Sequence, residues 1–312
     1  MNARGAQERI LTARDFEQVF GEEISAEISR LVAAFDFRYA EVGTEERDRY
    51  LLEILKRLGD ANLAAAGPHR LPQWETGWGE NLENLEKNEA DPLLPKYFGK
   101  FGVLRWRQQF IKPLTKNFES KTLRIIQEWL FEKYLPEAKA IYEFGCGTGH
   151  HLLNVRRVNK SAPLWGLDWA TSSQKIIAEL ARRNPEAGVN GRRFDFFNPD
   201  YAFKLQPESA VYTVAALEQT GKAYEAFVEY LLEQKPKICF HTEPIGELLD
   251  EHNLLDYLSL RYFEKRNYLS GFLNYLRRLE KAGKLVIHKA QRTYIGSLFI
   301  EGYSVVAWSP LP

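Results

Sequence analysis

Residues 142–149 read Y-E-F-G-C-G-T-G, a carboxylate followed by glycines at alternate positions. Glycine tolerates positive φ and lets the backbone come close to a ligand. A helix beginning near His150 would offer that ligand its unpaired N–H groups. Nineteen residues beyond Gly149, an apolar run ends in Asp168. A carboxylate in that place can accept two hydrogen bonds from a ribose diol, as acids do in dinucleotide sites. Together the two features point to a cofactor that contains a nucleoside.

Two cofactor classes meet that description, and spacing separates them. A dinucleotide loop, G-x-G-x-x-G, needs its third glycine at position 150, where this chain has His150. The run instead resembles the E/D-x-G-x-G-x-G first motif of class I S-adenosylmethionine-dependent methyltransferases, and the resemblance extends over about 139–312. It implies S-adenosyl-L-methionine as cofactor, held by Glu143, Gly145, Cys146, Gly147, Thr148 and Gly149. It also implies that Asp168 binds the ribose, that Trp169 packs on the adenine, and that Asp195, beside Phe196, meets the adenine amino group. Ala216, in the run A-A-L-E-Q at 215–219, takes the place that lines the pocket near the methyl donor. Structural roles stand beside these: Glu143 as a loop brace, Asp168 as a helix cap, Asp195 as a surface residue. Cys146 reads as a small loop residue, because no pattern supplies it a base.

On the acceptor side, strands of such a fold present their carboxyl ends to the ligand. That edge collects His150, His151, Glu218, Gln219, His241 and Glu243. An imidazole or carboxylate there can take a proton from an attacking hydroxyl or amine. His241 leads as proton acceptor, with Glu218 and Glu243 in reserve; buried, hydrogen-bonded structural roles are the alternative for each. His151 and Gln219 are expected to face the acceptor. Tyr262 and Arg266 lie four apart and share a helix face, which could grip a carboxylate or phosphate or simply face solvent. Trp74 and Trp78, in a loop-like stretch at 71–97, are expected to cover the acceptor as part of a lid. The histidines at 150, 151, 241, 252 and 288 lack metal-ligand spacing, so no metal is expected.

The elements that must position these residues follow from periodicity. Apolar spacings of three and four predict helices at 26–35, 45–58 and 120–134. Short apolar runs at 140–144, 163–168, 193–196, 210–214 and 238–242 alternate with helical patterns at 172–183 and 223–232, which predicts a parallel sheet. A helical insert spans about 246–282, and two strands, 284–288 and 303–308, end the chain as an antiparallel hairpin. The expected class is α/β: a doubly wound, seven-stranded, mostly parallel sheet with an antiparallel final hairpin, plus an N-terminal helical segment. Residues 1–120 would form a cap or lid region, and 121–312 the methyltransferase domain.

Bulk properties narrow the function. Of the 312 residues, 45% are hydrophobic and 27% charged, which fits a folded globular protein. Basic and acidic residues balance at 42 each, so the phosphate-neutralising excess of a nucleic-acid binder is missing. Residues 1–14 lack an apolar signal core, no run of about 18 apolar residues occurs, and the two cysteines form no CxxC pair. We therefore expect a cytoplasmic enzyme that methylates an oxygen or nitrogen of a small molecule, with no nucleic-acid or membrane partner and with a homodimer allowed. The alternatives are a nicotinamide-dependent oxidoreductase, opposed by His150, and a non-catalytic Rossmann-like binding protein, opposed by the intact loop. Calorimetry checks the first point: S-adenosylmethionine or its demethylated product should bind, and a nicotinamide dinucleotide should not. Tight dinucleotide binding alone overturns the assignment.

Overall fold

The computed structural model describes residues 7–311. Residues 1–6 and 312, which the polar N-terminal stretch and the outer domain limits include, lie outside the described residues. In chain order the first part comprises β1 (Glu8–Ile10), α1 (Ala13–Phe20), α2 (Ala26–Ala34), β2 (Arg38–Glu41), α3 (Thr44–Gly59), α4 (Leu71–Glu86), β3 (Leu104–Trp106), β4 (Gln109–Pro113) and α5 (Phe118–Tyr134). The second part comprises β5 (Ile141–Phe144), β6 (Leu164–Asp168), α6 (Thr171–Arg183), β7 (Val189–Arg193), β8 (Ala210–Val214), α7 (Glu225–Gln234) and β9 (Ile238–Glu243). It ends with α8 (Leu254–Arg266), α9 (Phe272–Lys281), β10 (Leu285–Gln291), β11 (Ile295–Gly296) and β12 (Ser304–Pro310). None of the described helices is long and apolar enough to cross a membrane.

Within these residues, one sheet has seven strands in the order β10-β12-β9-β8-β5-β6-β7. The five strands from β9 to β7 run parallel, and β12 pairs antiparallel with β9 and β10. This is the expected α/β architecture. Every residue of β5, β8 and β9 is buried, as strands covered by helices on both faces must be. The chain winds outward from β5 to β7, then returns to start β8 on the other side of β5. The carboxyl ends of β5 and β8 therefore part, and that switch point is where such sheets bind ligands.

The N-terminal region is not only helical. Its strands build a second, antiparallel sheet, β1-β2-β4-β3-β11, whose last strand comes from residues 295–296. Strands of three to five residues are too short to show a clear period of two, so helix periodicity dominates the sequence there. The stretch at 71–97, expected as loop, begins with helix α4. Gly77 and Gly79 lower its propensity, but Pro72 sits in the first turn and Trp78, Asn81 and Leu85 are buried. Packing overrides propensity. The third parallel strand lies at Val189–Arg193, earlier than the expected 193–196. Phe194 and Phe196, which read as strand, follow its carboxyl end and border the ligand cavity instead.

A buried ion network ties the two sheets to α8. The Arg292 fork meets both Asp256 oxygens at 2.8 Å and Glu301 at 2.6–2.8 Å. These side chains are 10%, 2% and 4% exposed. Arg105 of β3 donates to the Leu255 and Leu298 carbonyls, at 2.9 and 3.0 Å. Arg292→Met would leave two carboxylates buried without their cation. Urea denaturation should show a loss of about 3–5 kcal/mol, the usual result of removing one partner of a buried pair. A loss below about 1 kcal/mol would mean that water or neighbouring groups replace the guanidinium.

Candidate active site

A cavity of about 980 Å³ opens at the switch point. Its floor is Gly145–Thr148, its sides Asp168 with Trp169 and Val214–Ala216, and its roof Trp74 and Trp78 of α4. Gly145 has φ +72°, and a side chain on it would meet Ala216 and Phe196. Gly147 has φ +53°, and a side chain there would meet the Trp78 ring. Both glycines are thus required by backbone conformation and by close approach together. Gly149 does not border the cavity; it packs under Ile177 of α6. The segment after the loop is a short 3-10 turn, Leu152–Arg157, rather than the expected α-helix.

Asp168 is buried on the cavity wall. One oxygen accepts the Gly147 N–H and the other the Ala170 N–H, both at 2.9 Å. Each oxygen retains a second lone pair for a ligand hydroxyl. Burial pushes its pKa up to about 6, against the pull of those N–H groups. Trp169 and Phe197 also line the cavity, with rings 5.8 Å apart and tilted by 31°. Glu143 lies behind the loop rather than on the cavity, where its carboxylate accepts the Tyr212 hydroxyl at 3.0 Å. Asp195 also stays off the cavity wall and closes a turn by accepting the Phe197 N–H at 2.9 Å. The Cys146 thiol is buried against Ser173 and its pKa is raised by burial. Thr148 donates to the Leu93 carbonyl at 2.6 Å, tying the loop to the N-terminal region.

His241 is not placed as a proton acceptor. Trp308 donates to its Nε2 at 3.0 Å. Its Nδ1 meets the Thr213 hydroxyl at 3.0 Å, and that hydroxyl donates to Glu243 at 2.7 Å. The chain of donors fixes a neutral imidazole with its proton on Nδ1, and burial pushes its pKa down to about 3. Glu243 is likewise committed. Its carboxylate collects the N–H groups of Ala216, Leu217 and Glu218 at 3.0–3.1 Å. Neither residue borders the cavity. Glu218 does, held by the Gln219 amide at 2.9 Å; burial, and after it the charge of Glu243, pushes its pKa up to about 8.

The remaining wall brings together residues distant in sequence. Trp74 stacks on Trp78 at 5.3 Å, and Glu75 between them caps α6 by accepting the Thr171 and Ser172 N–H groups. His151, Gln219, Tyr262 and Arg266 all border the cavity, as do Arg70, Tyr97, Glu119, Tyr268 and Tyr303. Sequence reasoning passed over Arg70, Glu119, Tyr268 and Tyr303 as site residues. Arg70 and Tyr303 stand outside any motif, and no spacing marks them. Tyr268 lies two residues beyond Arg266, a spacing that does not place two side chains on one helix face.

Asp168→Ala removes charge-assisted hydrogen bonds of roughly 1.5–3 kcal/mol each. Calorimetry should show S-adenosylhomocysteine binding weakened at least about tenfold, with unfolding still cooperative. Unchanged affinity in the folded variant assigns the carboxylate to the Gly147 and Ala170 N–H groups alone.

No family model matches the chain, and no curated protein matches it. Among solved structures, the [4+2]-cyclase SpnF is similar at 14% identity over 79% of this chain and 97% of that chain, with a TM-score of 0.49. Magnesium protoporphyrin IX methyltransferase from Synechocystis PCC 6803, with bound SAH, gives 12% identity over 61% and 82%, with a TM-score of 0.45. The O-methyltransferase NcsB1 from neocarzinostatin biosynthesis, in complex with S-adenosyl-L-homocysteine and 1,4-dihydroxy-2-naphthoic acid, gives 14% over 77% and 70%, with a TM-score of 0.44. Five parallel strands closed by an antiparallel pair, with a glycine loop after the central strand, give this chain the class I methyltransferase fold.

Proposed function

We propose that this protein transfers a methyl group from S-adenosyl-L-methionine to an oxygen or nitrogen of a small-molecule acceptor. The observation that carries the reading is one continuous cavity joining the glycine loop and Asp168 to Glu218, a half-buried carboxyl group with no cation within 4.0 Å among the described residues. The residues present fit the cofactor. Gly145 and Gly147 leave a cradle that side chains would fill, Asp168 keeps lone pairs for ribose hydroxyls, and Trp169 with Phe197 offers aromatic faces for adenine. When bound, the cofactor supplies a methyl group on a positively charged sulfur.

What remains for the protein is alignment, exclusion of water and custody of one proton. Trp74 and Trp78 cover the loop, and Tyr97, Tyr262, Tyr268 and Tyr303 surround the acceptor space. Glu218 stands beside the loop, because Ala216, two residues before it, touches Gly145. Glu218 would take the proton that the acceptor's oxygen or nitrogen releases as it bonds to the methyl carbon, while the electron pair of the broken carbon–sulfur bond would stay on sulfur.

Glu218 can accept a proton only when ionised, and its raised pKa keeps it protonated below about 8. The rate of S-adenosylhomocysteine release with a responsive phenol or amine should therefore climb with pH and level off at or below about 8. Glu218→Gln should bind cofactor normally, lose about 10²–10⁴ in rate and lose the pH-dependent limb. A fully active Gln variant with the same pH profile removes Glu218 from the chemistry.

A further inference from the structure

The wall of the cavity formed by α8 and the 64–70 segment carries positive charge without a counter-ion. Arg266, at the end of α8, is 9% exposed. It donates to the Ala64 carbonyl and, at 3.3 Å, to the Tyr268 hydroxyl. The same segment is clipped to α8 by Ala66 N–H to the Arg266 carbonyl at 2.6 Å and by the Asn267 amide to the Ala66 carbonyl. That clip brings Arg70, four residues further on, into the same wall. Among the described residues no carboxylate oxygen lies within 4.0 Å of either guanidinium, and the Nε of each has no partner.

The acids that line the cavity do not neutralise them: Glu53 is exposed and makes no ion pair with either guanidinium, and the others are engaged. Asp60 pairs with Arg57 at 2.9 Å. Glu119 accepts the Gly99 N–H and the Tyr303 hydroxyl. Glu218 is protonated at neutral pH, as argued above. Burial, and after it the charge of Arg266, lowers the Arg70 pKa, so the two cations disfavour each other. A buried charge without its partner costs several kcal/mol. For Arg266 that cost is offset in part: the Tyr268 ring lies 5.1 Å away, a contact worth about 0.5–2 kcal/mol, and against burial the Tyr268 and Tyr262 hydroxyls hold its pKa above the usual value, yet neither tyrosine brings a carboxylate to the fork. A guanidinium pair in a cavity matches a carboxylate or phosphate, whose oxygens accept its forked donors.

We propose that the methyl acceptor is an anion whose carboxylate or phosphate group is held by Arg70 and Arg266. The inference rests on reading this cavity as the acceptor chamber. Tyr262, stacked on Phe299 at 5.0 Å, supplies a flat apolar wall next to the cations, so an aromatic acid suits the space.

Benzoate, phenyl phosphate and neutral benzyl alcohol, titrated calorimetrically into the full-length protein, test the proposal. At least one of the two anions should bind at least about tenfold more tightly than the alcohol, and their order tells carboxylate from phosphate. Arg70→Gln should erase that preference, and Arg70→Lys should keep part of it. Added sodium chloride should weaken anion binding to the wild type but leave the alcohol unaffected, which tests the point even if the Gln variant does not fold. Equal binding of all three probes, or a preference that survives Arg70→Gln or high salt, overturns the proposal. S-adenosylhomocysteine, titrated separately, keeps the two readings apart. If it binds while the anions show no preference, only this inference falls; if the anions bind while it does not, only the cofactor reading falls.

Discussion

The site depends on one buried carboxylate. Glu243, at the end of β9, reaches across to the turn that follows β8 and accepts the N–H groups of Ala216, Leu217 and Glu218 together with the Thr213 hydroxyl. An anion at three consecutive N–H groups is the arrangement by which turns and helix starts bind phosphate; here the protein supplies its own. The turn needs the help. Ala215 has φ +48°, a left-handed conformation that costs a residue with a side chain about 1–2 kcal/mol. With the turn fixed, Ala216 fills the space that Gly145 leaves open, and Glu218 stands on the cavity wall. Burial, against the pull of those donors, pushes the Glu243 pKa up to about 7; where it is ionised, its charge helps to keep the proton on Glu218. One side chain thus sets both the position and the proton affinity of its neighbour, with Thr213, His241 and Trp308 lined up behind it.

The N-terminal region completes the cavity as a fixed wall in this structure. Glu75 holds the start of α6, and Trp78 lies on Gly147. Asn81 gathers the Pro92 and Leu94 carbonyls at 2.8 and 3.2 Å, which shapes the stretch leading to Thr148's partner, Leu93. Arg183, at the far end of α6, donates to the Leu85 carbonyl at 2.8 Å. Helix α4 is therefore bonded near both ends to the helix that follows Asp168. On the other flank, β11 adds a strand from the end of the chain to the N-terminal sheet, and Arg292 locks α8 beneath it.

Much of this was legible in the sequence, for physical reasons that can be named. Strands buried on both faces read as short apolar runs, so the parallel sheet and its closing pair were visible. The glycine spacing was visible because backbone conformation allows little else. The face on which a strand-end side chain lies was not. His241 and Glu243 are two apart on β9 and share a face, and His241 pairs in register with Thr213 of β8. What packs on that face is set by Phe272 of α9 and Trp308 of β12, and position at a carboxyl end says nothing of it. Arg70 was illegible for a different reason: its place depends on hydrogen bonds from Arg266 and Asn267 to the carbonyls of Ala64 and Ala66, and from the Ala66 N–H to the Arg266 carbonyl, across some two hundred residues of sequence. Helix α4 was missed because its two glycines speak against a helix while its tertiary contacts, absent from any local pattern, decide for one.

In the protein alone Glu218 holds its proton, because it is buried beside Glu243, and a protonated carboxyl group is no base. A positive charge brought close to it favours its ionised form. The sulfonium of the proposed cofactor is such a charge, so binding the donor would also prepare the base. Under the proposed function, loss of that charge on methyl transfer would raise the affinity of Glu218 for a proton just as the acceptor gives one up. Arg266 acts in the opposite sense to Glu243, since its charge favours ionisation of Glu218. An acceptor anion bound to the two guanidiniums would cancel that help. The donor's charge, rather than Arg266, would then keep Glu218 ionised once both ligands are in place, so that the base would be assembled only in the complex that can react.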